Sequence, residues 1–333
     1  MTISPYNLFY MESFRSSTEF WNTAQYDLFI SAYTNEDIVL DTYKNINANE
    51  KLWLIFSEYD LNLAEIDGEK FNPSLKDETT KEADYIRGVY EDYIVKNIDK
   101  KICIDITGFN KPYLIYMIIY LKEMDTIKKI DLIYTEPQQY VKGTKTVFSR
   151  DSIKSRDIVT FDESFPSRGE NDLFIVNVGY DFRLVKGVLE GRHAKIKPLL
   201  GFPSLQPIMY QENILNLIKS KNELGINENE ELLYAPANHP FITAQVVSEY
   251  INAYTKKYGL DEIKNIYLSP LATKAQTIGM TLFYIFEKEK YKKEDISIHI
   301  RYPFTNKYSS SSSKGVFRIN KYTIEFDLFD NLH

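Results

Sequence analysis

Lys101-Ile-Cys-Ile-Asp-Ile106, the turn Thr107-Gly-Phe-Asn-Lys111 and the apolar stretch from Pro112 to Met124 carry the reading of the fold. The first run is a short apolar strand. The polar turn ends it, and Pro112 starts a helix well, because a first-turn residue needs no N–H donor and proline's φ is already helical. Tyr113 to Met124 reads as an apolar helix. Strand, polar turn and helix make one β-loop-α unit, and the same order recurs on both sides of it.

Upstream, Asp27 to Tyr33 reads as a strand and Glu36 to Lys44 as a helix, with Ile38, Leu40 and Tyr43 at helical spacing. Leu52 to Phe56 is a second strand, followed by a polar stretch through Lys76 and a helix from Thr80 to Asn97. Ile130 to Tyr134 is a fourth strand. From Glu136 to Asn171 no period is sustained, which places a domain junction or an inserted loop there. The alternation resumes with strand Leu173 to Val178, a Gly179 to Arg183 turn and a helix from Leu184 to Glu190. Strands Lys197 to Leu200, Glu231 to Ala235 and Ile263 to Leu268 then alternate with helices Pro207 to Lys219, Thr243 to Tyr258 and Thr273 to Glu287. Ile296 to Tyr302 and the alternating Val316 to Phe326 predict a C-terminal antiparallel edge hairpin.

Strands that alternate with helices imply a mostly parallel sheet, since parallel neighbours need a crossover and helices must cover both sheet faces. The expectation is an α/β protein of two Rossmann-like lobes, residues 1–150 and 151–333, with mostly parallel sheets. No fixed-period repeat links the two, so their kinship is architectural.

At 333 residues the chain is long enough to bury two cores, and 44% hydrophobic with 26% charged residues is a globular composition. Cys103 is the single cysteine, which excludes an internal disulfide and a multi-cysteine zinc site; in its apolar strand it serves as a small buried hydrophobe. The start of the chain, MTISPYNLFYMESFR, lacks the basic and apolar regions of a secretion signal, and Tyr113 to Leu121 is far shorter than the roughly 20 residues that cross a bilayer. A cytoplasmic protein with no membrane partner is expected. A net charge of −7 disfavours long nucleic acid but leaves room for a local pocket that holds one small anion.

Ligands of open parallel sheets bind beyond the carboxyl ends of the strands, so the residues after each strand are the candidates. Asp105, Thr107, Gly108 and Lys111 surround the start of the Pro112 helix and offer a carboxylate, a hydroxyl, a pliant turn and a cation to a phosphate. Helix capping by Thr107 with a solvated Lys111 explains the same residues. Thr273 and Lys274 repeat the pattern in Ser269 to Gln276, again with capping as the alternative. Asn238 and His239 follow another strand, where His239 is a candidate acid, base or hydrogen-bond donor as well as a candidate structural residue. Glu190, Arg192, His193 and Lys195, with Arg183 nearby, form the most basic short stretch, suited to phosphate and proton transfer or simply to a charged loop. Glu136 can pair with Asp105 across parallel strand ends or act as a cap. The Ser309 to Ser313 run before Lys314-Gly315 is either a lid over an anion or a flexible loop.

Gly-x-Gly-x-x-Gly, the Walker P-loop, the Gly-x-Ser-x-Gly elbow and His-Glu-x-x-His are all missing, so no cofactor and no metal is assigned. Asp105-Ile-Thr-Gly and Ser269-Pro-Leu-Ala-Thr-Lys, each between a strand and a helix, resemble the ligand loops of CARF and SAVED domains. These are Rossmann-like bacterial sensors of cyclic nucleotide signals in antiviral defence. The resemblance covers these loops and the α/β layout, about a fifth of the chain. It implies that Thr107, Gly108, Lys111, Thr273 and Lys274 line a nucleotide pocket. The chain departs from the usual sensor design in having no Arg-x4-6-His ribonuclease motif and no helix-turn-helix output.

The leading expectation is a protein that binds a nucleotide-like or phosphorylated small ligand between its lobes through Thr107, Gly108, Lys111, Arg183, Arg192, Asn238, Thr273 and Lys274. The resemblance adds a place in a bacterial defence assembly, with a protein partner or a second copy of the chain. One alternative is a hydrolase or transferase on a nucleotide, with His193 or His239 as acid/base and Asp105 or Glu190 as the carboxylate. Another is an interaction protein without a small ligand.

Overall fold

The computed structural model describes residues 4–15, 17–59, 61–74, 81–140, 154–158, 171–179, 181–189, 194–224, 231–304 and 313–329. In chain order these form β1 (Tyr10–Phe14), α1 (Ser17–Thr23), β2 (Gln25–Ala32), α2 (Asp37–Asn45), β3 (Asn47–Leu54), β4 (Glu69–Phe71), α3 (Lys81–Val89), β5 (Ile102–Asp105), α4 (Lys111–Met124) and β6 (Lys129–Tyr140). They continue with β7 (Lys154–Asp157), β8 (Asp172–Val178), α5 (Phe182–Leu189), β9 (Lys195–Gly201), α6 (Pro207–Leu224), β10 (Leu233–Ala235), α7 (Pro240–Tyr258), β11 (Asn265–Pro270), α8 (Lys274–Lys292), β12 (Ser297–Phe304) and β13 (Ser313–Glu325). The chain is α/β, with two mostly parallel sheets, and divides into two compact units. Leu8–Ser152 with Thr305–His333 forms one, here the first unit, and Met1–Asn7 with Ile153–Phe304 forms the other.

The first unit holds a seven-stranded sheet in the order β1-β13-β6-β5-β2-β3-β4. Strands β4, β3, β2, β5 and β6 are parallel, while β13 runs antiparallel to both β6 and β1. Taken by their order in the chain, the parallel strands lie third, second, first, fourth, fifth. That is the Rossmann order, and its topological switch point falls between β2 and β5. Phe20, Tyr26, Phe29, Ile46, Cys103, Ile133 and Ile319 form a buried cluster against this sheet. Tyr113 to Leu121 of α4 are all buried, which is why that helix is apolar around its whole circumference.

The second unit holds a six-stranded sheet in the order β10-β9-β8-β11-β12-β7. Its five parallel strands again lie third, second, first, fourth, fifth, with antiparallel β7 beside the fifth. The two units thus share one winding, and the switch point here lies between β8 and β11. Phe174, Tyr267 and His299 are cross-strand partners on β8, β11 and β12 and stack in a row, with centroids 4.4 and 5.2 Å apart. The N-terminal turn belongs to this unit: Tyr6 donates its hydroxyl to Glu287 Oε1 of α8 at 3.0 Å.

Three sequence expectations change. The last two strands do not form a hairpin with each other: β12 pairs with β11 and β7, whereas β13 pairs with β6 and β1. Each is antiparallel to something, but the partners lie far away in the chain. The helix expected from Thr80 to Asn97 is α3 only to Val89, after which Tyr90–Ile94 widens to a π turn and Val95–Asn97 tightens to a 3₁₀ turn. The stretch without a period after Glu136 begins inside β6, which continues to Tyr140, and β7 lies beyond it. Strands β1, β4 and β7 are short and carry no long apolar run, so the sequence pattern passes over them.

Candidate functional site

Asp105 ends β5 and is fully buried. Its Oδ2 accepts from Ser31 Oγ of β2 at 2.9 Å, and its Oδ1 accepts the Thr107 N–H at 2.9 Å and the Thr107 hydroxyl at 2.5 Å. The Thr107 oxygen in turn accepts the N–H of Thr135 on β6 at 2.9 Å. Carboxylate and hydroxyl therefore tie β2, β5 and β6 together at the switch point, as a burial this complete requires of polar groups. Thr107 does not cap α4; the cap position is Asn110, whose side chain makes no cap bond. Gly108 lies against the end of β2, and its carbonyl accepts the Tyr59 hydroxyl at 3.0 Å. Lys111 is half-buried at the first position of α4.

Glu136 has its own donors, Arg318 Nε at 2.8 Å and Asn320 Nδ2 at 2.6 Å, both from β13. Asp105 and Glu136 are thus two separately satisfied carboxylates rather than a pair. Ser313, Lys314 and Gly315 belong to β13, and Ser313 donates to Glu36 Oε2, just before α2, at 2.5 Å. Ser309 to Ser312, and with them the lid expectation, lie outside the described residues.

A cavity of about 250 Å³ lies at the carboxyl ends of β3 and β4. Ile55, Pro73 and the rings of Tyr85 and Tyr113 give it apolar walls, and Ser57, Asn72, Ser74 and Lys81 give it polar ones. Behind Ser57 the Glu58 carboxylate is held by Lys81 Nζ at 3.1 Å and by the Tyr113 hydroxyl at 3.0 Å, both on Oε1. Tyr85 accepts the Ile55 N–H and donates to the Phe71 carbonyl, each at 2.8 Å, so its hydroxyl joins the ends of β3 and β4. Burial, and then the Glu58 and Glu82 carboxylates, push the Tyr113 phenol far above its ordinary pKa. The Phe56 ring stacks on Tyr113 with centroids 4.1 Å apart.

Sequence reading passed over this group. Its signal was available in Ser57-Glu58, a polar pair directly after an apolar strand, but the partners Lys81, Tyr85 and Tyr113 come from α3 and α4.

In the second unit Thr273 caps α8 by accepting the Gln276 N–H at 3.2 Å, and its hydroxyl donates to the Ala237 carbonyl at 2.5 Å. This joins the loop after β11 to the loop after β10. Asn177, at the end of β8, donates to the Leu199 carbonyl at 3.3 Å and accepts the Ala272 N–H at 3.2 Å, adding β9 to the same knot. His239 caps α7, its Nδ1 accepting the Ile242 N–H at 3.3 Å, and burial lowers its pKa. Asn238 and Lys274 are half-buried, the one beside that cap and the other opening α8. Arg183 is exposed and bonded to Asp181 through Nε at 3.0 Å and Nη2 at 2.8 Å. Glu190, Arg192 and His193 lie outside the described residues. Thr107, Gly108 and Lys111 thus belong to the first unit, and Asn238, His239, Thr273 and Lys274 to the second.

One buried polar atom near each switch point has no hydrogen-bond partner: Asn110 Nδ2, in a residue 4% exposed, and Ser269 Oγ, in a residue with no exposure. Among the described residues no group of three or more His, Cys, Asp and Glu side chains is placed to hold a metal, and no helix is long and apolar enough to cross a membrane.

These features define an α/β protein with two doubly wound units, each with polar groups collected at the carboxyl edge of its sheet. No family model matches the chain, and no curated protein does. Among solved structures, the functionally unknown protein PA1789 from Pseudomonas aeruginosa PAO1 is similar over 85% of this chain and 94% of its own, at 10% identity and a TM-score of 0.26.

Proposed function

We propose that the chain binds a nucleotide-like or phosphorylated small ligand at the carboxyl edge of the first unit's sheet. The observation that carries this reading is the cavity beside β3 and β4, in which serine, asparagine and lysine groups converge on tyrosine rings at the edge where doubly wound sheets take their ligands. The partnerless Asn110 amide of the same unit supports it, because buried polar atoms without partners are costly and ligands commonly satisfy them. The likeness of the two strand-exit loops to CARF and SAVED ligand loops concerns other residues than those of the cavity and bears on the class of ligand alone, making a sensor of nucleotide signals the form of the proposal.

The enzyme alternative gains no such support. Of its residues, Asp105 is spent on three donors and His239 on a helix cap, while His193 and Glu190 lie outside the described residues.

A thermal-shift panel of nucleosides, nucleotides, cyclic oligonucleotides and sugar phosphates tests the proposal. A ligand at about a hundred times its Kd adds about 2.7 kcal/mol, a rise in Tm of about 5 °C or more. Asn72→Ala, at an exposed wall of the cavity, should at least halve that rise, while Lys111→Ala and Lys274→Ala separate the two helix starts from it. A panel without any stabilising compound would refute the proposal, and a rise lost only in the lysine variants would move the site to the helix starts.

A further inference from the structure

Four helix starts that follow parallel strands are completed in different ways. His239 and Thr273 cap α7 and α8, whereas Asp37 in α2 and Glu82 and Asp84 in α3 place carboxylates in the first turn. The start of α4, a helix of 14 residues, has neither a side-chain cap nor an acidic residue in its first turn. No group of its own helix offsets its positive end.

The donors at that end can be followed one by one. The Leu114 N–H bonds the Asn110 carbonyl at 3.2 Å and opens the helical ladder. A cap side chain would serve the second or third helical residue, here Pro112 or Tyr113. Pro112 has no N–H to serve, and the N–H of buried Tyr113 meets no acceptor among the described residues. Asn110, the cap residue, is 4% exposed, and its Nδ2 has no hydrogen-bond partner either. Two buried donors at one helix mouth thus call for an acceptor that the described chain does not supply.

The chemistry of that acceptor follows from the donors. Two N–H groups at the positive end of a helix suit an anion with several oxygens, as phosphate has. Asp105, the carboxylate of the same loop, bonds Ser31 and Thr107 and leaves both donors unserved. Tyr113 also lines the cavity, so the cavity and the helix start share a residue.

We propose, resting on the binding reading above, that the start of α4 is the phosphate subsite of the ligand: a phosphate group accepts from Asn110 Nδ2 and the Tyr113 N–H while the ring system occupies the cavity.

Titration of the full chain with inorganic phosphate, nucleosides and the matching 5′-monophosphates, read by calorimetry and by amide NMR, provides the test. Monophosphates should bind about tenfold or more tightly than their nucleosides, since hydrogen bonds to a charged acceptor are about twice as strong as neutral ones. Inorganic phosphate alone should shift the signals of the Asn110 side-chain NH₂ and the Tyr113 amide. Asn110→Asp replaces the donor by a carboxylate and should abolish the monophosphate advantage. The same variant should leave the unliganded chain at least as stable, because Asp caps a helix as well as Asn and its charge suits the positive end.

Equal affinity for nucleoside and monophosphate, or a monophosphate advantage that survives in Asn110→Asp, would overturn the subsite and leave the cavity reading standing. Failure of every compound would remove both. If Asn110→Asp does not fold, the unaltered chain decides: an Asn110 NH₂ signal that saturating monophosphate does not move places the phosphate elsewhere.

Discussion

Gly108 lies so close to Ala32 that a Cβ added to it would fall 2.1 Å from the Ala32 carbonyl oxygen. The second unit repeats the arrangement, with a Cβ on Gly179 falling 2.5 Å from the carbonyl oxygen of Leu271. In both units a glycine lets the ends of the first and fourth parallel strands meet at the switch point. Backbone atoms cannot step aside as a flexible side chain can, so Gly108→Ala and Gly179→Ala should each cost about 1–3 kcal/mol, the usual range for overpacking. Urea denaturation measures this, and two neutral substitutions would mean that the strand ends do not touch in solution.

His239 should make stability fall in acid. Burial lowers its pKa below the ordinary 6.5, so the fold favours the neutral ring and the unfolded chain takes up the proton more readily. The contribution is present above 6.5 and is lost as pH falls through the lowered, folded-state value. Protonation also turns Nδ1 from acceptor to donor, which removes the cap on Ile242. His239→Ala should cost about 1 kcal/mol at neutral pH, whereas His239→Asn should keep most of the cap and lose the pH dependence. Thermal unfolding of the three proteins between about pH 5 and pH 8 checks both statements; parallel profiles for the unaltered chain and the His239→Asn variant would exclude the role.

Strand β13 should be indispensable to the first unit. It pairs along β6 from Lys129 to Tyr140 and on its other side with β1. A fragment of residues 8–152 exposes both of those edges, and unpaired edges recruit other chains. That fragment is expected to aggregate or unfold, and joining residues 305–333 to it by a flexible linker should restore a cooperative unfolding transition. A fragment that unfolds cooperatively without β13 would show the strand to be dispensable.

Much of the candidate site was half legible in the sequence. Thr273 and His239 stand out in the sequence as polar residues after strands, and both are helix caps, which a neighbouring backbone N–H decides locally. Asp105 and Thr107 read locally as ligand groups, but Ser31 and Thr135, on strands distant in sequence, take their hydrogen bonds. Glu58 went unnoticed because nothing near it in sequence shows that Lys81 and Tyr113 will reach its carboxylate.

By itself the sequence determined the α/β class and the central strand-loop-helix units, since apolar period, turn residues and helix starts are properties of neighbouring residues. The tertiary structure alone decided that β13 crosses to the sheet of β6, that both sheets share one winding, and that the polar residues after β3 meet those of α3 and α4 around one cavity. Those outcomes depend on which distant segments bury one another's apolar faces and satisfy one another's buried polar groups, and no local pattern along the chain encodes that choice.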